Sequence, residues 1–175
     1  IILARGSFNV TSRPTKVTKA DTDVIDALLH TLDPDKVFFV VGHKVTGYEK
    51  YLIDHNTGFE IFSYVPAMLT RNEAENLQAS SISIRIGITA DELGTYKSFN
   101  YEIFERRPSV LLAFDGNAAG ENLIQEAKNG KGKSYIFVAR RSSSLRKKAQ
   151  SLQGYVHLFD QPEQLSNELT TIINN

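Results

Sequence analysis

The sequence predicts a single three-layer α/β domain with a mainly parallel sheet of about six or seven strands, a count that follows from usual element lengths. Three observations carry the prediction. Short uncharged apolar runs, such as Val110-Leu111-Leu112-Ala113-Phe114, read as strands buried on both faces. Helical patterns alternate with these runs at the spacing of βαβ units. Three of the turns after such runs hold Gly beside small or amide residues, and each would lie at the carboxyl end of a strand.

In chain order, residues 1–4 read as a short buried strand that runs into a Gly-Ser-Asn turn at 5–9. Residues 10–19 are polar, a loop. Asp21 is placed to N-cap a helix with the stripe Val24, Ile25, Leu28, Leu29 and Leu32, and Asp33-Pro34-Asp35 stops it. Residues 37–41 form the second strand, followed by a Gly-bounded turn at 42–47 and a short helix from near Tyr48. A turn at 56–58 precedes a third strand at 59–65, which Pro66 ends. A polar helix spans 70–79. Residues 81–87 alternate Ile82, Ile84 and Ile86, the mark of a less buried fourth strand. The longest helical pattern covers 91–107 and leads into the central strand at 110–114. The turn Asp115-Gly116-Asn117 then opens a helix carrying Leu123, Ile124 and Ala127, which Gly130-Lys131-Gly132 stops. A strand at 134–139, a basic helix at 142–152, a strand at 155–159 and a helix at 163–173 complete the chain. No repeat, low-complexity segment or splitting linker interrupts it.

Composition narrows the function classes. The 175 residues are 41% hydrophobic, enough for one domain with a sizeable core. Twenty basic and twenty acidic residues cancel, which argues against a nucleic-acid footprint. There is no cysteine, so neither a disulfide framework nor a thiolate metal site is expected, and a cytoplasmic location fits. No apolar run approaches the roughly 20 residues that span a bilayer. Asp, His and Glu show no metal-ligand spacing, so no metal or cofactor is expected. No signal peptide is visible, and the chain opens inside an apolar run without Met, the pattern of a domain cut from a longer polypeptide.

Ligands of an open parallel sheet bind outside the carboxyl ends of its strands. The turns Gly6-Ser7-Phe8-Asn9, 42–47 and 115–120 all fall there, where backbone N–H groups and positive helix ends favour an anion. None matches G-x-G-x-x-G or the Walker loop, so hydride transfer to a dinucleotide and a kinase-like phosphate loop are unsupported. Lys97 reads as a phosphate ligand or as a solvated helix lysine, and Arg85 as a phosphate ligand or as the exposed face of its strand. His43, inside a Gly turn, is a better candidate than His30, His55 or His157. Phe8 and Tyr101 offer flat faces for a base, and Asn9, Asn100 or Asn117 a paired donor and acceptor for its edge. Arg140-Arg141 and Arg146-Lys147-Lys148 form a basic run of the kind that is usually a solvated face.

The order of pieces resembles the SLOG superfamily, Rossmann-like domains that unite DNA-processing proteins of the DprA/Smf type, LOG phosphoribohydrolases and nucleotide-sensing modules of bacterial antiviral defence. The resemblance covers nearly the whole chain and lies in the pattern of elements. IILARGSFN, at 1–9, is similar to the family's first strand and Gly-Ser loop. KVFFVVGHKVTG, at 36–47, resembles its second strand and loop. YKSFNYEIFERRPSVLLA, at 96–113, resembles its polar-faced helix and following strand, and 118–139 the turn, helix and strand that come next. The resemblance implies a nucleotide or nucleotide-sugar touched by Gly6, Ser7, Phe8, Gly42, His43 and Gly47. Lys97 and Asn100 would approach phosphate or ribose, and Asp115, Gly116, Asn117, Gly120 and Glu121 would line the far wall. The LOG enzymes carry P-G-G-x-G-T-x-x-E, whereas here the stretch is FDGNAAGENLIQE; Glu121 or Glu126 would stand in for the acid.

Three functions follow as expectations. The first is a sensor of an ADP-ribose-like or other nucleotide signal that acts on an attached effector domain or partner subunit. The second is an N-glycosidase or phosphoribohydrolase acting on nucleoside monophosphates, in which a carboxylate steadies an oxocarbenium-like centre. The third is DNA handling, which the neutral charge disfavours. At least a homodimer is expected, with apolar residues such as Ile103-Phe104 as contact material.

Overall fold

A computed structural model of the chain describes residues 2–4, 17–42, 47–65, 67, 71–79, 83–86, 104–105, 108–114, 118–131, 134–139, 143–152, 154–160 and 162–174. Among the described residues there are seven strands: β1 (Ile2–Ala4), β2 (Phe38–Val41), β3 (Glu60–Val65), β4 (Ser83–Ile86), β5 (Ser109–Ala113), β6 (Ser134–Ala139) and β7 (Val156–Phe159). The described helices are α1 (Lys19–Thr31), α2 (Gly47–Asp54), α3 (Arg71–Ala79), α4 (Ala118–Asn129), α5 (Ser143–Ser151) and α6 (Pro162–Asn174).

All six strand pairings are parallel, and the order across the sheet is β4-β3-β2-β1-β5-β6-β7. The chain builds outward from β1 to β4, then returns and builds outward the other way from β5. The fold is therefore a doubly wound, Rossmann-like α/β sheet, with its topological switch point between β1 and β5. Ile2 pairs with Val40 on one side and Leu111 on the other, and Ala4 lies level with Ala113. The first, second and central strands, β1, β2 and β5, are thus neighbours in the sheet.

Strand alternation divides the core into two layers. Phe39 and Val41 of β2, Val110 and Leu112 of β5, and Phe137 of β6 pack with Val24, Ile25 and Leu28 of α1, Tyr48 and Leu52 of α2, and Leu165 and Leu169 of α6. Their neighbours Val40, Leu111, Ala113, Ile136 and Val138 pack on the other face with Leu123, Ile124 and Ala127 of α4 and Leu145 and Ala149 of α5. β5 is buried on both faces from Val110 onward, as its uncharged sequence requires. A small satellite of Val65 and Leu77, with Ile53 packed against it, seats α3 beside α2.

Two readings change, and a third holds for a different reason. Asp21 does not cap α1: Thr18 occupies the N-cap position, with extended backbone and no side-chain cap hydrogen bond, and Asp21 is buried in the first turn. Phe104 is fully buried in the α4–α5 layer, so it is not available for a subunit contact. α4 does stop before Gly130, as expected, but glycine is needed there for a steric reason and not for a left-handed turn. The Gly130 N–H continues the helical pattern to the Glu126 carbonyl at 2.9 Å, while a Cβ there would lie 2.6 Å from the Phe104 carbonyl oxygen. Apart from residues 104–105, the helix expected at 91–107 lies outside the described residues.

Candidate functional site

In a parallel sheet every strand delivers its following helix with the N-terminus at the strands' carboxyl edge. α1 and α2, which follow β1 and β2, and α4, which follows β5, therefore all start around the switch point. Three positive helix ends converge there.

Gly42 leaves β2 at this edge and is completely accounted for by side chains. Its N–H donates to Oε1 of Glu49 at 2.7 Å, and its carbonyl accepts from the Ser63 hydroxyl at 2.8 Å. Both partners are fully buried. Glu49 lies in the first turn of α2, so its bond to Gly42 ties the start of that helix to the end of β2. Gly47 begins α2 at φ +58°, the left-handed region that glycine enters without a steric penalty. Of these two sequence candidates, Gly42 thus follows β2 and Gly47 starts α2.

A second buried carboxylate sits alongside. Oδ2 of Asp21 accepts from the Tyr48 hydroxyl and, at 3.1 Å, from the Thr18 hydroxyl. Tyr48 lies against Phe114 at the end of β5, with centroids 4.8 Å apart, and Phe114 meets Phe159 edge-on. A continuous rim, Asp21–Tyr48–Phe114–Phe159, thus ties α1 and α2 to the ends of β5 and β7. Neither acid was a candidate from the sequence. A signal exists: Thr18-Lys19-Ala20-Asp21 and Thr46-Gly47-Tyr48-Glu49 both follow the T-x-x-acid pattern of a helix start.

The other candidates are placed as follows. Gly120 lies in the first turn of α4 and faces Leu145 of α5, whose Cδ2 would be 3.5 Å from an added Cβ. Glu121, half-buried, also lies in that first turn, at the carboxyl edge. Glu126 is five residues further along α4, about 7.5 Å down the axis and roughly 140° around it, so the two carboxylates do not share a face. Arg85 belongs to β4 at the sheet's outer edge, paired with Tyr64 of β3. Four strand spacings, about 19 Å, separate β4 from β5, so Arg85 is not brought to the β5 turn. Gly6, Ser7, Phe8, Asn9, His43, Lys97, Asn100, Tyr101, Asp115, Gly116 and Asn117 lie outside the described residues.

Among the described residues no group of three or more His, Cys, Asp or Glu is placed to hold a metal ion. Among the same residues no helix is long and apolar enough to cross a membrane.

Fold and edge together define a Rossmann-like α/β domain with a buried rim of contacts, Asp21–Tyr48–Phe114–Phe159, beside its switch point. Set against protein-family models, curated proteins and solved structures, the chain finds no match.

Proposed function

We propose that this domain binds an adenine-containing nucleotide, of ADP-ribose type or simpler, at the switch point, and that binding is sensed by an attached effector domain or a partner subunit. The observation that supports this reading is the side-by-side ending of β1, β2 and β5 with three helix N-termini around them. Backbone N–H groups and helix dipoles at such a position favour phosphate. The SLOG resemblance supports the same ligand class and, by extension, a role in bacterial antiviral defence within an assembly of at least two subunits. Lys97 is retained as the cation for the phosphate, and Arg85 is not, because β4 lies too far from the β5 turn.

Titration calorimetry with AMP and ADP-ribose tests the reading. Wild-type protein should bind at least one of them, and Lys97→Ala should weaken binding by roughly tenfold to a hundredfold, the effect of losing a charge-assisted contact. No heat with either nucleotide would reject it.

A second reading, an N-glycosidase acting on nucleoside monophosphates, draws on one observation: Glu121 stands in the first turn of α4 at the carboxyl edge. Release of free base from AMP, lost in Glu121→Gln, would establish it in place of pure sensing.

A further inference from the structure

The described helices divide their charge unequally between the two faces of the sheet. α1, α2 and α6, which cover one face, hold seven acidic side chains and two lysines. Two of these acids, Asp21 and Glu49, are buried, and the lysines, Lys19 and Lys50, are bonded within their own helices to Asp23 and Asp54. Glu163 and Glu168 of α6 stand exposed. α4 and α5, on the opposite face, hold four basic side chains and two glutamates, and α5 has no acidic residue. Its Arg146 and Lys147 are exposed. Lys147 is two residues from both buried Leu145 and Ala149, so it points roughly 200° around the helix from the core. Among the described residues no ion pair engages Arg146, Lys147, Glu163 or Glu168.

A basic run is usually a solvated face. This one lies beside an exposed aromatic. Tyr155, in the turn between α5 and β7, is 58% exposed, and Nζ of Lys128 on α4 lies 5.0 Å from its ring centre. Tyrosine is among the side chains that most often anchor protein contacts. The chain also carries the matching charge itself: its twenty basic and twenty acidic residues cancel, yet the acidic and basic helices lie on opposite sides of the sheet. Within one molecule the sheet keeps the two layers apart, so the match is made only between copies.

We propose that the α4–α5 layer, with Tyr155 as its apolar anchor, docks on the acidic α1–α6 layer of a second copy. The contact is heterologous, because each copy uses one face and keeps the other free. Contacts of this kind build rings or open stacks instead of a two-fold dimer. Exposed charges contribute mainly orientation and speed of encounter, and salt screens them. The contact stands independently of the nucleotide reading.

Sedimentation velocity over a concentration series tests it, at about 0.1 M and about 1 M salt, where screening lengths are about 10 Å and about 3 Å. The wild-type chain should associate beyond a dimer at the lower salt and return toward monomer at the higher. The double variant Arg146→Glu with Lys147→Glu should weaken self-association about tenfold or more. Glu163→Lys with Glu168→Lys should do the same, each variant being first shown by thermal melting to fold. An equimolar mixture of the two should associate again, because each keeps the face that the other has lost. Glu168→Lys alone carries the acidic arm if a lysine in the first turn of α6 impairs folding. Tyr155→Ala should weaken association and leave its salt dependence in place. A wild type that stays monomeric at both salts overturns the contact; if it then retains poly-glutamate through Arg146 and Lys147, the basic face belongs to another acidic protein. Association that survives both charge reversals, or a mixture of the two variants that stays apart, overturns it equally and puts any assembly on a different surface.

Discussion

Tyr51 shows how a single side chain joins two elements and leaves a measurable trace. It projects from α2, half-buried, and its hydroxyl donates to both carboxylate oxygens of Asp26 on α1 at 3.0 Å. Burial, and then the hydrogen bond to Asp26, raise the phenol above its ordinary value of 10.0. The folded-state value therefore exceeds the unfolded one. The contribution to stability is fully present below the unfolded value and is lost as pH rises through the folded one. Asp26→Asn should bring the Tyr51 titration down toward the ordinary value, read from its ring-carbon NMR shift so that the other six tyrosines do not interfere. The same scale shows where sequence reasoning stopped. The stripe Val24, Ile25, Leu28, Leu29, Leu32 was legible because helical spacing alone makes it, and every member is buried. Asp21, Glu49 and Ser63 were not: a local T-x-x-acid pattern marks the two acids only as parts of helix starts, while the bonds Tyr48–Asp21, Gly42–Glu49 and Ser63–Gly42 span 27, 7 and 21 residues, which no local pattern records.

At the scale of elements, β6 was legible to the residue: an apolar run between Gly-Lys-Gly-Lys and Arg140-Arg141 has only one way to be a strand. Other ends moved by a residue or two, as frayed ends do. The two glycines that bracket α4 look alike in the sequence and are set apart only by what surrounds them. An added Cβ at Gly120 meets Leu145 at 3.5 Å, an ordinary contact, whereas at Gly130 it meets Phe104 backbone and Cβ at 2.6–2.7 Å. Gly120→Ala should therefore stabilise the fold by up to about 1 kcal/mol, through the higher helix propensity of Ala. Gly130→Ala should destabilise it by about 1–3 kcal/mol, because the colliding atoms include backbone that cannot rotate away. Thermal melts of the two variants should move in opposite directions. A ligand that needs close approach at Gly120 would make the first variant more stable and yet weaker in binding.

Over the whole molecule, the topology sets the centre of the described sheet apart from its β4 edge. The sheet centre is covered on both sides: β5 and β6 lie between the α1–α2–α6 layer and the α4–α5 layer. β4 is at the outer edge, paired on one side only with β3, and α3 before it is seated by Leu77 on Val65 with Ile53 alongside. Local opening draws on the most weakly held elements, and among the described strands β4 is held by a single ladder. The α3–β4 unit should therefore open at a lower free energy than the centre, and the switch point, which lies among the central strands, should stay closed while it does. Leu77→Ala tests this. Truncating a fully buried leucine costs about 2–5 kcal/mol at sites that cannot collapse. Here most of that cost should appear as faster native-state hydrogen exchange in α3 and β4. Protection in β5 and β6 should fall only to the extent that global stability falls. Equal loss of protection across all seven strands would mean that the sheet opens as one unit, and that its edge is as firmly held as its centre.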